Sequence, residues 1–240
     1  MPFLALTAAV SVLAGGIAAV TGFGIGSLLT PLFNARDDMR VAVASVSIPH
    51  VVATAWRLWM LRHDVDRRVL KSFGLMSAAG GLTGALLQQV ASGRSLIVVF
   101  AVLLTLAGAA GLTGLAERVR LGRTTGWIAG IVSGTLGGLV GNQGGIRSAA
   151  LLGYDLSPAG FVATATAAGV IVDAARVPVY LATEGTRLMA RLDLIAVATA
   201  GVVIGTLLGE RVVKRLRESM FRRIVGLLVL LLGLYMFSRR

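Results

Sequence analysis

Two arginines, Arg57 and Arg176, lie 119 residues apart, each inside an apolar stretch. A charge surrounded by hydrocarbon is costly and is rarely kept without a task. The guanidinium is a planar fork of N–H donors, well suited to an oxyanion. The same offset superimposes two glycine clusters, Gly22-Phe23-Gly24-Ile25-Gly26 over Gly141-Asn142-Gln143-Gly144-Gly145. Where a membrane helix breaks at glycine, bare backbone N–H groups and a positive helix terminus can approach an anion. The amides of Asn142 and Gln143 add donors, and Phe23 would form an apolar wall or gate. The candidate anion ligands are therefore Gly22, Phe23, Gly24 and Gly26 at one tip, Asn142, Gln143, Gly144 and Gly145 at the other, and the two arginines. Arg147 follows the second cluster, where the first half has Leu28, and is a further candidate.

Hydroxyls recur as well, Ser45 and Ser47 lying over Thr164 and Thr166. A helix cannot aim residues two apart at one side. One of each pair, Ser45 and Thr164, is expected at the substrate while its neighbour back-bonds or packs. Pro49 should kink its helix, and His50 beside it and Asp173 are candidate carriers of a coupling proton. Plainer readings stay open. An arginine near a helix end can snorkel to water, and Asp173 is three residues before Arg176, within reach of a local ion pair. There is no paired-histidine metal motif, no nucleophile beside a base and no phosphate-loop lysine. No enzyme activity, metal or cofactor is expected.

The elements that position these residues must be membrane helices. Apolar residues make up 56% of the 240-residue chain and charged residues 14%, roughly half the charged fraction of a soluble domain. Several apolar runs reach the ~20 residues needed to cross a bilayer. The 31 glycines suit close helix packing. The net charge of +12 falls mostly in short loops, where it sets topology and meets lipid headgroups rather than nucleic acid. Cysteine is absent, so disulfides and thiol chemistry are excluded. Met1-Pro2-Phe3-Leu4 lacks the basic start of a cleaved signal peptide.

Clear spans are expected at 41–61, 72–90, 96–115, 160–181, 192–209 and 223–237. Regions 3–33 and 126–152 exceed one span and are broken by the glycine clusters. Each is either one long broken span or a re-entrant hairpin of two half-helices. As full spans they give eight crossings, parallel halves and loop Lys/Arg divided 11 to 9. As hairpins they give two inverted halves of three spans each and a division of 13 to 7. The positive-inside tendency favours the inverted arrangement, although Arg36 and Arg40 then fall outside and loop 153–158 has no basic residue. The expected fold is all-α and polytopic. Its repeats are 1–119 and 120–240, joined in one integral membrane domain.

The repeat rests on Val43/Val162, Ala44/Ala163, Val51/Val170, Ala55/Ala174 and Arg57/Arg176, and on an offset without gaps from Gly15/Gly134 to the arginines. Asp38 and Ser157 coincide as N-caps, with Pro158 at the first helical position. With its two glycine segments, each ahead of a helix patterned in alanine and Ser/Thr, the chain resembles the TauE/SafE (TSUP) sulfite exporter family over nearly its whole length. It departs in having Ile146-Arg147 where a proline often follows the second glycine segment. The resemblance implies secondary transport of a small sulfur-containing or organic anion across the bacterial inner membrane, with proton coupling. The expected partners are that anion, the bilayer and a proton, and a homo-oligomer is compatible with the sequence. The alternatives are a passive anion channel and a non-transporting membrane scaffold whose glycines only pack.

Overall fold

The computed structural model describes residues 2–22, 24–115, 125–213 and 218–238. Every regular element among them is a helix: α1 (Pro2–Thr21), α2 (Ile25–Asn34), α3 (Met39–Leu61), α4 (Arg67–Val90), α5 (Gly93–Thr113), α6 (Gly126–Val140), α7 (Gly144–Leu151), α8 (Pro158–Met189), α9 (Leu192–Val213) and α10 (Glu218–Ser238). Six helices, α1, α3, α4, α5, α8 and α9, are long and apolar enough to cross a bilayer. The chain is an all-α polytopic membrane protein. The sixth long helix is α1, from the start of region 3–33, whereas segment 223–237 belongs to the shorter apolar helices.

The glycine clusters break each half into a hairpin. α1 and α2 part at Gly22–Gly24 and come together again at their bases, where the Arg36 guanidinium lies 4.0 Å over the Phe3 ring. α6 and α7 part at Gly141–Gln143, and their bases close where Gly126 lies against the Tyr154 hydroxyl. The second arm of each hairpin is short, 10 residues in α2 and 8 in α7. At 1.5 Å per residue these arms rise only about 12–15 Å.

The hairpin stems are held by the opposite half. α1 packs along α9 and α6 along α4. Small residues let the backbones touch, as Gly134 does on Ser77 and Gly205 on Val12. Both pairs run parallel, the contacts of α6 advancing from Phe73 at Gly130 to Gly81 at Gly138. α3 and α8, which carry the arginines, instead cross each other antiparallel. Asp38 at the start of α3 meets Arg187 at the end of α8, and the Asp66 N–H beyond α3 donates to Thr164 Oγ1 near the start of α8 (2.9 Å). α5 and α10 are also antiparallel, with Thr105 at Gly233 and Leu112 at Gly226.

The helix-start signals are used as spelled. Asp38 Oδ1 accepts the N–H groups of Arg40 (3.0 Å) and Val41 (3.1 Å), and Ser157 Oγ accepts that of Gly160 (3.0 Å), with Pro158 in the first turn. Asp37 pairs with Arg191 (2.7 Å) and Asp38 with Arg187, tying the α2–α3 turn to the end of α8. Burial alone would raise the Asp38 carboxyl above its ordinary value of 3.8, but the Val41 N–H, the Arg187 guanidinium and the Arg40 N–H together bring it below. Its stabilisation is therefore complete above the unfolded-state pKa of about 3.9 and is lost as pH falls through the lowered folded value. In thermal unfolding of the solubilised protein, Asp38→Ala should cost about 1 kcal/mol at neutral pH. Asp38→Asn, which keeps a cap, should cost less and flatten the acid limb of the stability curve.

Candidate functional site

Each first half-helix ends at a glycine in the left-handed region, Gly22 with φ 77° and Gly141 with φ 75°. These positions coincide at the 119-residue offset. A side chain there would cost about 1–2 kcal/mol. The Gly22 N–H returns to the Ala18 carbonyl (2.9 Å) and the Gly141 N–H to that of Gly137 (3.0 Å). The chain then turns into α2 from Gly24 and into α7 from Gln143. The two tips abut: a Cβ on Gly26 would overlap the carbonyl oxygen of Gly141. Arg147 Nη2 spans the junction and donates to the Gly22 carbonyl (3.1 Å).

A helix that stops inside the protein leaves its last carbonyls short of hydrogen-bond partners. Arg57 meets them on α1, donating from Nη1 to Ala18 (2.6 Å) and from Nη2 to Ala19 (3.0 Å). On α6, Arg176 Nη1 donates to Gly137 (2.5 Å) and the Tyr180 hydroxyl to Gly138. Ala18 and Gly137 are equivalent positions, and so are Ala19 and Gly138. The two arginines predicted to bind an anion thus hold the negative ends of the broken helices.

Behind the second tip, Arg176 also donates from Nε to Asp173 Oδ1 (2.9 Å) and brings Nη2 within 2.8 Å of the same oxygen. The other carboxylate oxygen takes His50 Nδ1 (2.6 Å) and the Thr54 hydroxyl (3.3 Å). The candidate proton carriers are therefore in contact. Thr54 and Asp173 share the 119-residue offset, and Gly169 stands where the first half has His50.

A cavity of about 20 Å³ lies at the junction, lined by Gly22, Ile25, His50, Thr54, Arg57, Arg147, Thr166 and Gly169, among others. Arg147 is 4% exposed, and its Nε and Nη1 have no hydrogen-bond partner among the described residues. Gly169 makes room for it, since a Cβ there would come within 2.8 Å of Nη1. Arg176 pairs with Asp173, while Arg57 and Arg147 border the neighbouring cavity. A buried guanidinium with unengaged N–H groups is costly.

Other candidates lie elsewhere. Asn142, Gln143 and Gly145 face α5 across an apolar cavity of about 290 Å³ lined by Leu103, Leu106 and Ala107. Gln143 is 6% exposed and its amide has no partner among the described residues. Gly24, Gly26 and Gly144 are buried within the tips. Thr164 is engaged by the Asp66 N–H. Thr166 reaches the cavity wall, but its hydroxyl back-bonds to Val162 (2.8 Å). Ser47 back-bonds to Ala44 (2.6 Å), whereas Ser45 is buried with its hydroxyl unpartnered among the described residues. Phe23 lies outside the described residues. Thr54, Gly169 and Tyr180 were not anticipated. The first two could have been found by carrying the offset along α3 and α8, but Tyr180, opposite Leu61, left no such signal.

A model of the family described as Sulfite exporter TauE/SafE matches residues 7–236, including both hairpins and both arginine contacts. The chain belongs to the TauE/SafE sulfite exporter family. No curated protein and no solved structure matches it. This is a family of membrane transporters. The close packing of the glycine junction gives a graded expectation. Gly26→Ala should destabilise the protein by pushing the tips apart. Gly145→Ala, whose Cβ would meet nothing within 4 Å, should stay within about 0.5 kcal/mol of wild type. Thermal unfolding of the two variants in detergent measures the difference.

Proposed function

We propose that this TauE/SafE family member is a secondary transporter of a small sulfur-containing anion, such as sulfite or a sulfonate, across the bacterial inner membrane. The anion binds between the two hairpin tips. The observation that carries this reading is Arg147, a buried guanidinium with two N–H-bearing nitrogens unengaged among the described residues, beside a cavity already bordered by Arg57. Charge-assisted hydrogen bonds to an oxyanion would satisfy those donors, and the bound charge would offset that of Arg147. Arg57 and Arg176 contribute field and hold the tips, while Arg147 makes the contact.

The halves 1–119 and 120–240 act as inverted repeats with re-entrant hairpins. The antiparallel crossing of the corresponding helices α3 and α8, and of α5 and α10, supports this, as does the loop-charge asymmetry. A cavity of about 20 Å³ has room for one water. A pyramidal oxyanion enters only when the tips part, which fits an occluded conformation in an alternating-access cycle. His50 and Asp173 carry the coupling proton. A proton on that pair adds positive charge beside Arg147 and so favours the anion, and by linkage the anion favours the proton.

Proteoliposome flux with sulfite, sulfate, thiosulfate, sulfonates and carboxylates, each with and without a pH gradient, tests the proposal. Arg147→Gln should lower flux of the preferred anion at least about tenfold, the scale of a lost charged hydrogen bond. Arg147→Lys should retain part of it. A wild-type rate in correctly folded Arg147→Gln contradicts the site.

A further inference from the structure

We propose that a phospholipid with a zwitterionic, primary-amine headgroup, of the phosphatidylethanolamine kind, is bound at the base of the first hairpin. Its headgroup lies between Arg36 and Asp193, and an acyl chain runs along α2. Arg36, Arg191 and Asp193 line one cavity of about 440 Å³ together with Phe3 and Leu4 of α1. Arg191 is taken by Asp37, as Arg187 is by Asp38. Arg36 and Asp193 are exposed, and neither forms an ion pair among the described residues. The Arg36 guanidinium lies over the Phe3 ring instead. The cavity thus offers one cation and one anion that do not pair with each other. A complementary ligand carries both charges, a phosphate for the guanidinium fork and an ammonium for the carboxylate. Both side chains sit at helix ends, Arg36 in the α2–α3 turn and Asp193 in the first turn of α9. In a membrane protein that is the level of the headgroups.

An apolar groove of about 270 Å³ lies beside this cavity, between α1, α2 and α10. Phe3 lines the cavity and Val10 the groove, and seven residues apart they share a face of α1. Ala35 lines the groove and Arg36 the cavity, so the two adjoin at the end of α2. From Ala35 the groove follows α2 back to Leu28, one turn from the first tip, with Leu13 of α1 and Leu228 of α10 on its other walls. α2 rises about 15 Å, half of the ~30 Å hydrocarbon core, so a groove along it has the depth of one leaflet. Tyr235, in the last turn of α10, borders it, an aromatic residue suited to the headgroup level. Leu13 and Tyr235 are exposed, so the groove opens toward the bilayer, and an acyl chain is the apolar partner that the bilayer supplies. A lipid seated there lies against the arm that carries Gly26 to Gly141, and so braces the first tip at the junction.

Hydrogen–deuterium exchange tests the site without any transported anion, and so independently of the Arg147 flux test. The protein is placed in nanodiscs of phosphatidylcholine, alone or with phosphatidylethanolamine or phosphatidylglycerol of the same chains. Peptides over 28–38 and 190–196 should exchange about fivefold more slowly with phosphatidylethanolamine than with phosphatidylcholine alone, the scale of one charged contact at the headgroups. Arg36→Gln and Asp193→Asn should each remove that difference, and Arg36→Lys should keep part of it. Leu13→Trp, which fills the groove from a lipid-facing position, should remove it with both charges intact. Unchanged exchange over 126–140 verifies that each variant is folded, and the two charge variants suffice if Leu13→Trp is not. Equal protection by phosphatidylcholine and phosphatidylethanolamine, or stronger protection by phosphatidylglycerol, would overturn the inference. So would an undiminished phosphatidylethanolamine effect in either charge variant, or full protection by soluble phosphoethanolamine in phosphatidylcholine discs.

Discussion

A helix that ends within a membrane protein leaves its last carbonyls facing a medium that offers no water. The rest of this structure depends on how that deficit is met. Both half-helices end at a left-handed glycine, and both leave two carbonyls reached by side chains of the next long helix, Arg57 alone at the first and Arg176 with Tyr180 at the second. The arginines can be deep because their charge is matched to helix C-termini. The glycines can be packed tip to tip because the carbonyls behind them are already satisfied. Each hairpin is therefore held twice, its stem by a helix of the opposite half and its tip by an arginine of its own half. Any relative movement of the halves must act on the tips.

The division of work among the cations follows from what each has left over. Arg57 and Arg176 turn their forks toward helix carbonyls, and Arg176 is further engaged by Asp173. Among the described residues, Arg147 has one backbone acceptor across the junction and two nitrogens without a partner. The 119-residue offset matches the two glycine breaks and the two arginines, and it fails at Arg147 opposite Leu28, Asp173 opposite Thr54, His50 opposite Gly169 and Tyr180 opposite Leu61. These exceptions put Arg147 across the junction and the His50–Asp173 pair behind the second tip.

Much of the frame was legible in the residues because it is local or periodic. The spans, the glycine breaks, the Asp38 and Ser157 caps and the arginine offset all follow from spacing and residue type. The partners of Arg57 and Arg176 did not follow, because they are backbone carbonyls and carry no residue signature. Asn142 and Gln143 line the cavity facing α5 rather than the one beside Arg147, which composition alone does not show, since the direction of a side chain in a two-residue turn depends on its dihedrals. α8 begins at Pro158 and runs 32 residues. Thr164 therefore lies in its second turn, beside the Asp66 loop rather than at the level of Arg176. Extending the offset through α3 would have exposed Thr54 opposite Asp173, whereas nothing in the pattern announces Tyr180.

The account is tested most directly by a cryo-EM structure of the protein in lipid nanodiscs with sulfite bound. It predicts sulfite against Nε and Nη1 of Arg147, between the tips, with Arg57 still on Ala18 and Ala19 and Arg176 still on Gly137. Sulfite held by Arg57 and Arg176, with those carbonyls released and Arg147 turned away, would contradict it.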